Sequence, residues 1–231
     1  MCGRAKLPED VSLTKEILKV KWDRLGEWRP RWNLAPTDMA PVVTSSNGER
    51  TIEWMRWGLV PYWAKDVKIG YSTFNAKAET VAEKPAFRGA WRAGRRCLVV
   101  TDGFYEWRKS DKQPFCIALG NKSPMMMAGL WESWKPKDGE PVRSCTIITT
   151  GANTLIAPLH DRMPVILGAE DWPAWLGEEA GVDPASLLKP FPSERLTMWP
   201  VDKRIGNVKN ESAELGEPIR TASHPLGVTA T

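Results

Sequence analysis

The stretch from Met39 to Pro61, MAPVVTSSNGERTIEWMRWGLVP, decides the fold. Two runs rich in β-branched and aromatic residues flank Asn47-Gly48, and both of those residues tolerate the positive φ that a two-residue hairpin turn demands. The stretch therefore predicts an antiparallel hairpin. Upstream, Leu13, Ile17, Leu18 and Val20 recur at helical spacing and predict a helix over about Val11 to Trp22. Downstream, apolar runs predict strands at Cys97 to Trp107, Phe115 to Leu119, Met125 to Trp131, Ser144 to Thr150, Val165 to Leu167 and Leu196 to Pro200. Short helices are predicted at Ala78 to Arg92, broken by Pro85, at Glu170 to Leu176 and at Pro184 to Leu188. The sum is an α+β single domain rich in antiparallel strands, barrel-like or made of two packed sheets, with peripheral short helices. It is expected over residues 1–210, followed by a loose tail over 211–231 whose end, GEPIRTASHPLGVTAT, lacks periodicity.

A chain of 231 residues with 42% apolar content can bury one substantial core. Its net charge of +4 suits a polyanionic partner and an ordinary soluble protein equally. No internal repeat divides it. Cys97, Cys116 and Cys145 lie inside apolar runs and read as buried strand thiols. With no CxxC pair and only two histidines, a metal site is not expected, and no cofactor motif is present. No apolar run approaches membrane-spanning length and no signal peptide precedes the charged start, so a cytoplasmic monomer with no membrane partner is expected.

The chain opens Met1-Cys2-Gly3-Arg4. A second-position Cys is small enough for an aminopeptidase to strip Met1, leaving an amine and a thiol on adjacent carbons. A terminal amine has an ordinary pKa of about 8 against about 10.4 for lysine, so its nucleophilic fraction near neutrality is far larger. Such an amine attacks aldehydes, and the neighbouring thiol can close the resulting imine into a five-membered thiazolidine in an intramolecular step. The same terminus also suits a thiol nucleophile that attacks carbonyls.

Other stretches carry candidate chemistry, each beside a plainer reading. FNAKAET places Asn75 where a helix cap would also sit. DGFYEW sets Glu106 among aromatics, where a carboxyl pKa rises; otherwise it pairs on the surface with Arg108 or Lys109. APLHDRMP holds His160, catalyst or packing residue. WNLAP carries Asn33 before a Pro-terminated turn. Thirteen tryptophans, several beside arginine or lysine as in EWRPRW and WMRWG, fit a Trp-rich core or a surface on which bases stack while cations track phosphates.

Taken in order and spacing, MCGR, WNLAP, WGLVPYW, FNAKAET, DGFYEW, LHDRMP and GNVKN resemble the SOS response-associated peptidase (SRAP) family over about Cys2 to Asn210. The resemblance implies a β-rich α+β fold and covalent attachment to abasic sites in single-stranded DNA, with weak lyase and self-processing peptidase activity. It matches the family's nucleophile to Cys2, its orienting asparagine to Asn75, and its acidic and histidine catalytic residues to Glu106 and His160. DNA contacts are implied at Arg4, Lys77, Arg162 and Asn33, with a fifth, aromatic, contact expected at position 67, which is Val67 in this sequence. Where members read Asn-Ala-Arg, this chain reads Asn75-Ala76-Lys77, which keeps the charge and loses the guanidinium fork.

Two other classes remain open from sequence. Class II glutamine amidotransferases also begin Met-Cys-Gly, although their downstream glutamine-binding patterns are not evident here. A non-enzymatic reader of modified bases or single strands would need only the Trp and Arg stretches.

Overall fold

The computed structural model describes residues 2–219, and the last twelve residues of the expected tail lie outside the described residues. In chain order the elements are β1 (Ala5–Lys6), α1 (Ser12–Ile17), β2 (Trp22–Asp23), β3 (Met39–Ser46), β4 (Glu49–Trp57), β5 (Asn75–Lys77), α2 (Arg88–Arg92), β6 (Arg96–Thr101), β7 (Gly103–Trp107), β8 (Pro114–Leu119), β9 (Met125–Trp134), β10 (Val142–Gly151), β11 (Arg162–Pro164), α3 (Trp172–Leu176) and β12 (Leu196–Pro200). The predicted hairpin is β3–β4, in register from Met39 opposite Arg56 to Ser46 opposite Glu49. Asn47 and Gly48 take φ of 52° and 75°, as a type I′ turn requires.

Two sheets result. The smaller has the order β1-β7-β8-β12; the larger runs β11-β10-β9-β6-β3-β4-β2, with β5 parallel to β10. The larger sheet curls until β10 meets β4 in a short parallel pairing at Ser144–Arg56 and Cys145–Trp57. Of the two expected forms, the molecule takes packed sheets rather than a closed barrel.

The twofold side-chain alternation of the large sheet creates two cores. Val43, Ile52, Leu98, Val100, Ala128, Leu130 and Ile148 face the helices, around Trp175. Their neighbours Val42, Met55, Trp57, Cys97, Val99, Met127 and Ile147 face the small sheet, where Phe104 and Ile117 meet them. Cys2 belongs to this second core, and Cys97, Cys116 and Cys145 are free and buried in their strands. Trp57 and Trp175 are wholly buried, Trp28 and Trp54 stack at 5.5 Å, and Trp22 and Trp63 remain about half exposed.

Four expectations change. The run Cys97 to Trp107 is two strands in different sheets, because the chain switches at Asp102-Gly103; a Cβ on Gly103 would lie 2.7 Å from the Ile117 carbonyl oxygen. The first helix stops at Ile17, before Lys19 at φ 49° turns the chain toward β2. The helix expected from Ala78 to Arg92 is a single turn at Ala78–Thr80 and then α2, separated around Pro85. The strand expected at Val165 to Leu167 is instead Arg162–Pro164, with one bridge from Ile166 to Met127. Those three residues are all buried, and two of them keep backbone hydrogen bonds to the neighbouring strands, the Val165 N–H to the Ile148 carbonyl and the Leu167 N–H to the Met126 carbonyl. Within the stretch from 211 to 219, Leu215 is buried and the Ile219 N–H bonds the Pro200 carbonyl at 3.0 Å.

Candidate active site

The site lies on the seam between the sheets. From the small sheet comes the N-terminal segment, which enters β1 opposite β7, with Ala5 facing Phe104 and the Tyr105 N–H bonded to the Arg4 carbonyl at 3.0 Å. This pairing carries Cys2 to Glu106. From the large sheet, β10 carries β5 with Ile147 beside Asn75, and β11 with Gly151 opposite Arg162. The result joins residues from four stretches of sequence.

Cys2 is fully buried, and its backbone carbonyl accepts the Asn75 Nδ2–H at 2.7 Å. Asn75 is therefore a strand residue holding the N-terminal segment and not a helix cap. Its Oδ1 is buried with no hydrogen bond among the described residues. Burial pushes the Cys2 thiol far above its ordinary range, and the neighbouring Glu106 carboxylate pushes it further. Glu106 is 4% exposed, and burial raises its pKa to about 7, with the Asp161 charge acting in the same direction. The surface pairing with Arg108 does not occur, since that guanidinium is bidentate to Asp111.

His160 is half-buried, and burial holds its pKa below the ordinary value. As a neutral ring it accepts the Arg162 N–H at Nδ1 (3.0 Å), which puts its own proton on Nε2. Asp161 Oδ1 lies 2.8 Å from the same Nδ1. One nitrogen cannot accept and donate at once, so the neutral ring belongs to the Arg162 N–H and the protonated ring to Asp161.

Arg4 and Asn33 form a clamp. The Arg4 guanidinium donates to Asn33 Oδ1 (2.8 Å) and to the carbonyls of Ile205 (2.7 Å) and Gly206 (3.1 Å). Asn33 is buried, and its Nδ2 donates to the carbonyls of Asn207 and Asn210. MCGR, WNLAP and GNVKN are thus parts of one hydrogen-bond network. Arg4 directs these donors to groups of the protein itself, which makes it a brace for the N-terminal segment. Arg162 donates through Nη1 and Nη2 to both Glu79 oxygens (2.6 and 2.9 Å) and to the Thr149 carbonyl (2.6 Å). Lys77, at the end of β5, is exposed and acts electrostatically on the same Glu79. Position 67 carries no ring: Val67 begins a single helical turn, and the exposed aromatics of that loop are Tyr62, Trp63 and Tyr71.

Sequence reading missed Glu79 and Asp161, although both stand inside stretches it had singled out, four residues after Asn75 and one after His160. The signal was an acid beside an expected phosphate-binding cation. Among the described residues no three His, Cys, Asp or Glu side chains converge as metal ligands, and no helix is long and apolar enough to cross a membrane.

Abasic site processing protein YoqW of Bacillus subtilis is 38% identical over 94% of this chain and 99% of its own length. Abasic site processing protein HMCES of Gallus gallus is 34% identical over 91% of this chain and 72% of its own length. A Bacteroides thetaiotaomicron protein of known crystal structure superposes with a TM-score of 0.82 at 27% identity, covering 94% of this chain and 99% of that one. Residues 1–208 match the family described as SOS response associated peptidase, and the chain belongs to that SRAP family.

Proposed function

We propose that this protein captures abasic sites in single-stranded DNA by covalent attachment to Cys2, once Met1 has been removed, and so protects them in the DNA damage response. The abasic site processing relatives support the DNA-damage reading. The observation that carries the chemistry is the buried pair of Cys2 and Glu106, a thiol held protonated beside a carboxyl group pushed to about 7. A thiolate nucleophile needs a lowered pKa from a nearby cation or helix terminus. Here the thiol is pushed the other way, which favours the amine as first nucleophile and speaks against a glutaminase.

The ring-opened sugar presents an aldehyde. The Cys2 amine, its ammonium proton taken by Glu106, adds to the aldehyde carbon, and loss of water gives an imine. The Cys2 sulfur then adds to the imine carbon while the thiol proton passes to nitrogen, closing the thiazolidine. His160 Nε2–H faces the sugar oxygen during ring opening, and Asn75 Oδ1 accepts from a sugar hydroxyl while Nδ2 keeps the terminus in place. An imine acidifies the adjacent sugar carbon, so strand cleavage by β-elimination is the side reaction that thiazolidine closure suppresses. The peptidase activity in the family's description corresponds, in this reading, to removal of the residue before Cys2. No cofactor enters any step.

Denaturing electrophoresis of the Met1-free protein mixed with an abasic oligonucleotide tests this. A heat-stable shifted band is expected. Its absence, or glutamine hydrolysis by the same preparation, rejects the assignment.

A further inference from the structure

The segment between β4 and β5 is a rigid loop with an open aromatic face. Gly58 and Gly70 press their backbones together: a Cβ on Gly58 would lie 2.5 Å from the Gly70 carbonyl oxygen, and one on Gly70 would lie 2.9 Å from that of Gly58. Inside the loop the Val60 N–H bonds Ser144 Oγ (2.8 Å), Thr73 Oγ1 bonds the Leu59 and Ile69 carbonyls, and the Trp134 indole N–H bonds the Ala64 carbonyl (2.7 Å). A loop held this firmly nevertheless leaves Tyr71 64% exposed. Folding does not explain that exposure, because the ring buries little of itself against the protein.

Beside Tyr71 stands Arg56, its guanidinium carbon 6.0 Å from the ring centroid. Arg56 Nη1 donates to the Thr37 carbonyl (2.9 Å), its Nε is buried without an acceptor, and no carboxylate among the described residues pairs with it. It also borders a cleft of about 390 Å³ that includes Met39, Trp54 and Arg143, and the Arg143 Nε likewise lacks an acceptor. The loop adds Lys65 and Lys68, while its one acid, Asp66, is turned onto the Lys68 N–H. Aromatic faces, an uncompensated guanidinium and an excess of cations suit a chain of bases and phosphates and repel an acidic surface's opposite. The loop also runs directly into Asn75, so whatever lies on it is continuous with the seam.

We infer that Arg56 and Tyr71 form a subsite for the single strand flanking the captured nucleotide, with a base stacked on Tyr71 and a phosphate on Arg56. The subsite deepens the abasic-site reading and rests on it. Binding is measured by fluorescence anisotropy on undamaged oligonucleotides, one of about five nucleotides and one of about fifteen, spanning the range of single-strand site sizes. For the parent, the long strand binds much more tightly. Tyr71→Ala and Arg56→Gln are expected to shrink that long-to-short ratio by about tenfold each, the worth of one stacked base or one desolvated phosphate contact. Arg56→Gln should also lower the salt slope on the long strand by about 0.7. Tyr71→Phe should preserve the ratio, and thermal melting of each variant verifies the fold. Unchanged ratios in both folded variants overturn the subsite, as does a loss seen only when the flanking segment is duplex, which would assign the shelf to double strands. Because these strands carry no aldehyde, failure of covalent capture in the parent would reject the abasic-site reading while leaving the ratios interpretable.

Discussion

The two halves of the seam differ in what they are allowed to touch. The small-sheet half, Cys2 and Glu106, is sealed from water and sets ionisation: a thiol kept protonated and a carboxyl near 7. The large-sheet half, Asn75, His160, Arg162 and Lys77, ranges from half-buried to exposed and is built from hydrogen bonds and ion pairs. Burial shifts pKa values, whereas exposure permits a ligand to exchange partners. The halves should therefore fail differently: the first in bond formation, the second in recognition, apart from His160, whose ring also moves a proton.

The largest effect belongs to Cys2→Ala, which should bind single-stranded DNA and form no heat-stable adduct in denaturing gels. Cys2→Ser should keep an imine that borohydride can trap while losing the stable ring. Parental adduct in the Ala variant would remove Cys2 from the chemistry.

Glu106→Gln comes next, slowing single-turnover capture by about a hundredfold through loss of a general base. Its pH signature has two opposite signs. Capture by the parent should rise as pH passes upward through about 7, where Glu106 ionises. Stability should move the other way: the folded state keeps this proton up to about 7 while the unfolded chain releases it near the ordinary carboxyl value, so the parent loses stability as pH rises through that window. Melting temperatures of the Gln variant should accordingly gain on the parent at pH 8 relative to pH 5. A gap that does not change with pH would mean that Glu106 titrates as an ordinary carboxylate.

Smaller, by about tenfold, is the slowing expected of His160→Ala, because water can reach a half-buried ring's position and replace part of its proton transfer. With its pKa held low, His160 should govern the acidic limb of the rate profile, and the variant should lose that limb while retaining the rise near 7. The smallest effect is that of Lys77→Ala, a drop of about 0.7 in the salt slope for single strands with little change in capture at saturating DNA. Lys77→Arg should bind at least as tightly, since the planar fork suits phosphate. An unchanged slope would leave Lys77 as the counterion of Glu79 alone.

The legibility of this molecule in its sequence follows the range of the forces involved. The β3–β4 hairpin was readable because Asn47-Gly48 and the flanking alternation act within a few residues. The break at Asp102-Gly103 was not, because its cause is the Ile117 carbonyl arriving from another strand. Likewise Cys2, Asn75, Glu106 and His160 stood out through residue type and family resemblance, and the structure brings them to one seam. That Arg4 braces and Glu79 grips Arg162 could not be read, since both facts depend on contacts across 201 and 83 positions of chain. The tryptophans show the limit of composition: Trp57 and Trp175 are core, Trp63 is surface, and nothing local distinguishes them.

The brace between Arg4 and the carbonyls of Ile205 and Gly206 also has a consequence in time. Translation delivers Arg4 201 positions of chain before Ile205, so a nascent chain carries the Cys2 segment unclamped until that holder emerges. A separate aminopeptidase would work in that interval, whereas self-processing must wait for the finished seam. Ribosome-bound chains stalled before Ile205 would tell the two routes apart: loss of Met1 there assigns the trimming to another enzyme, and its loss only from complete chains assigns it to the protein itself.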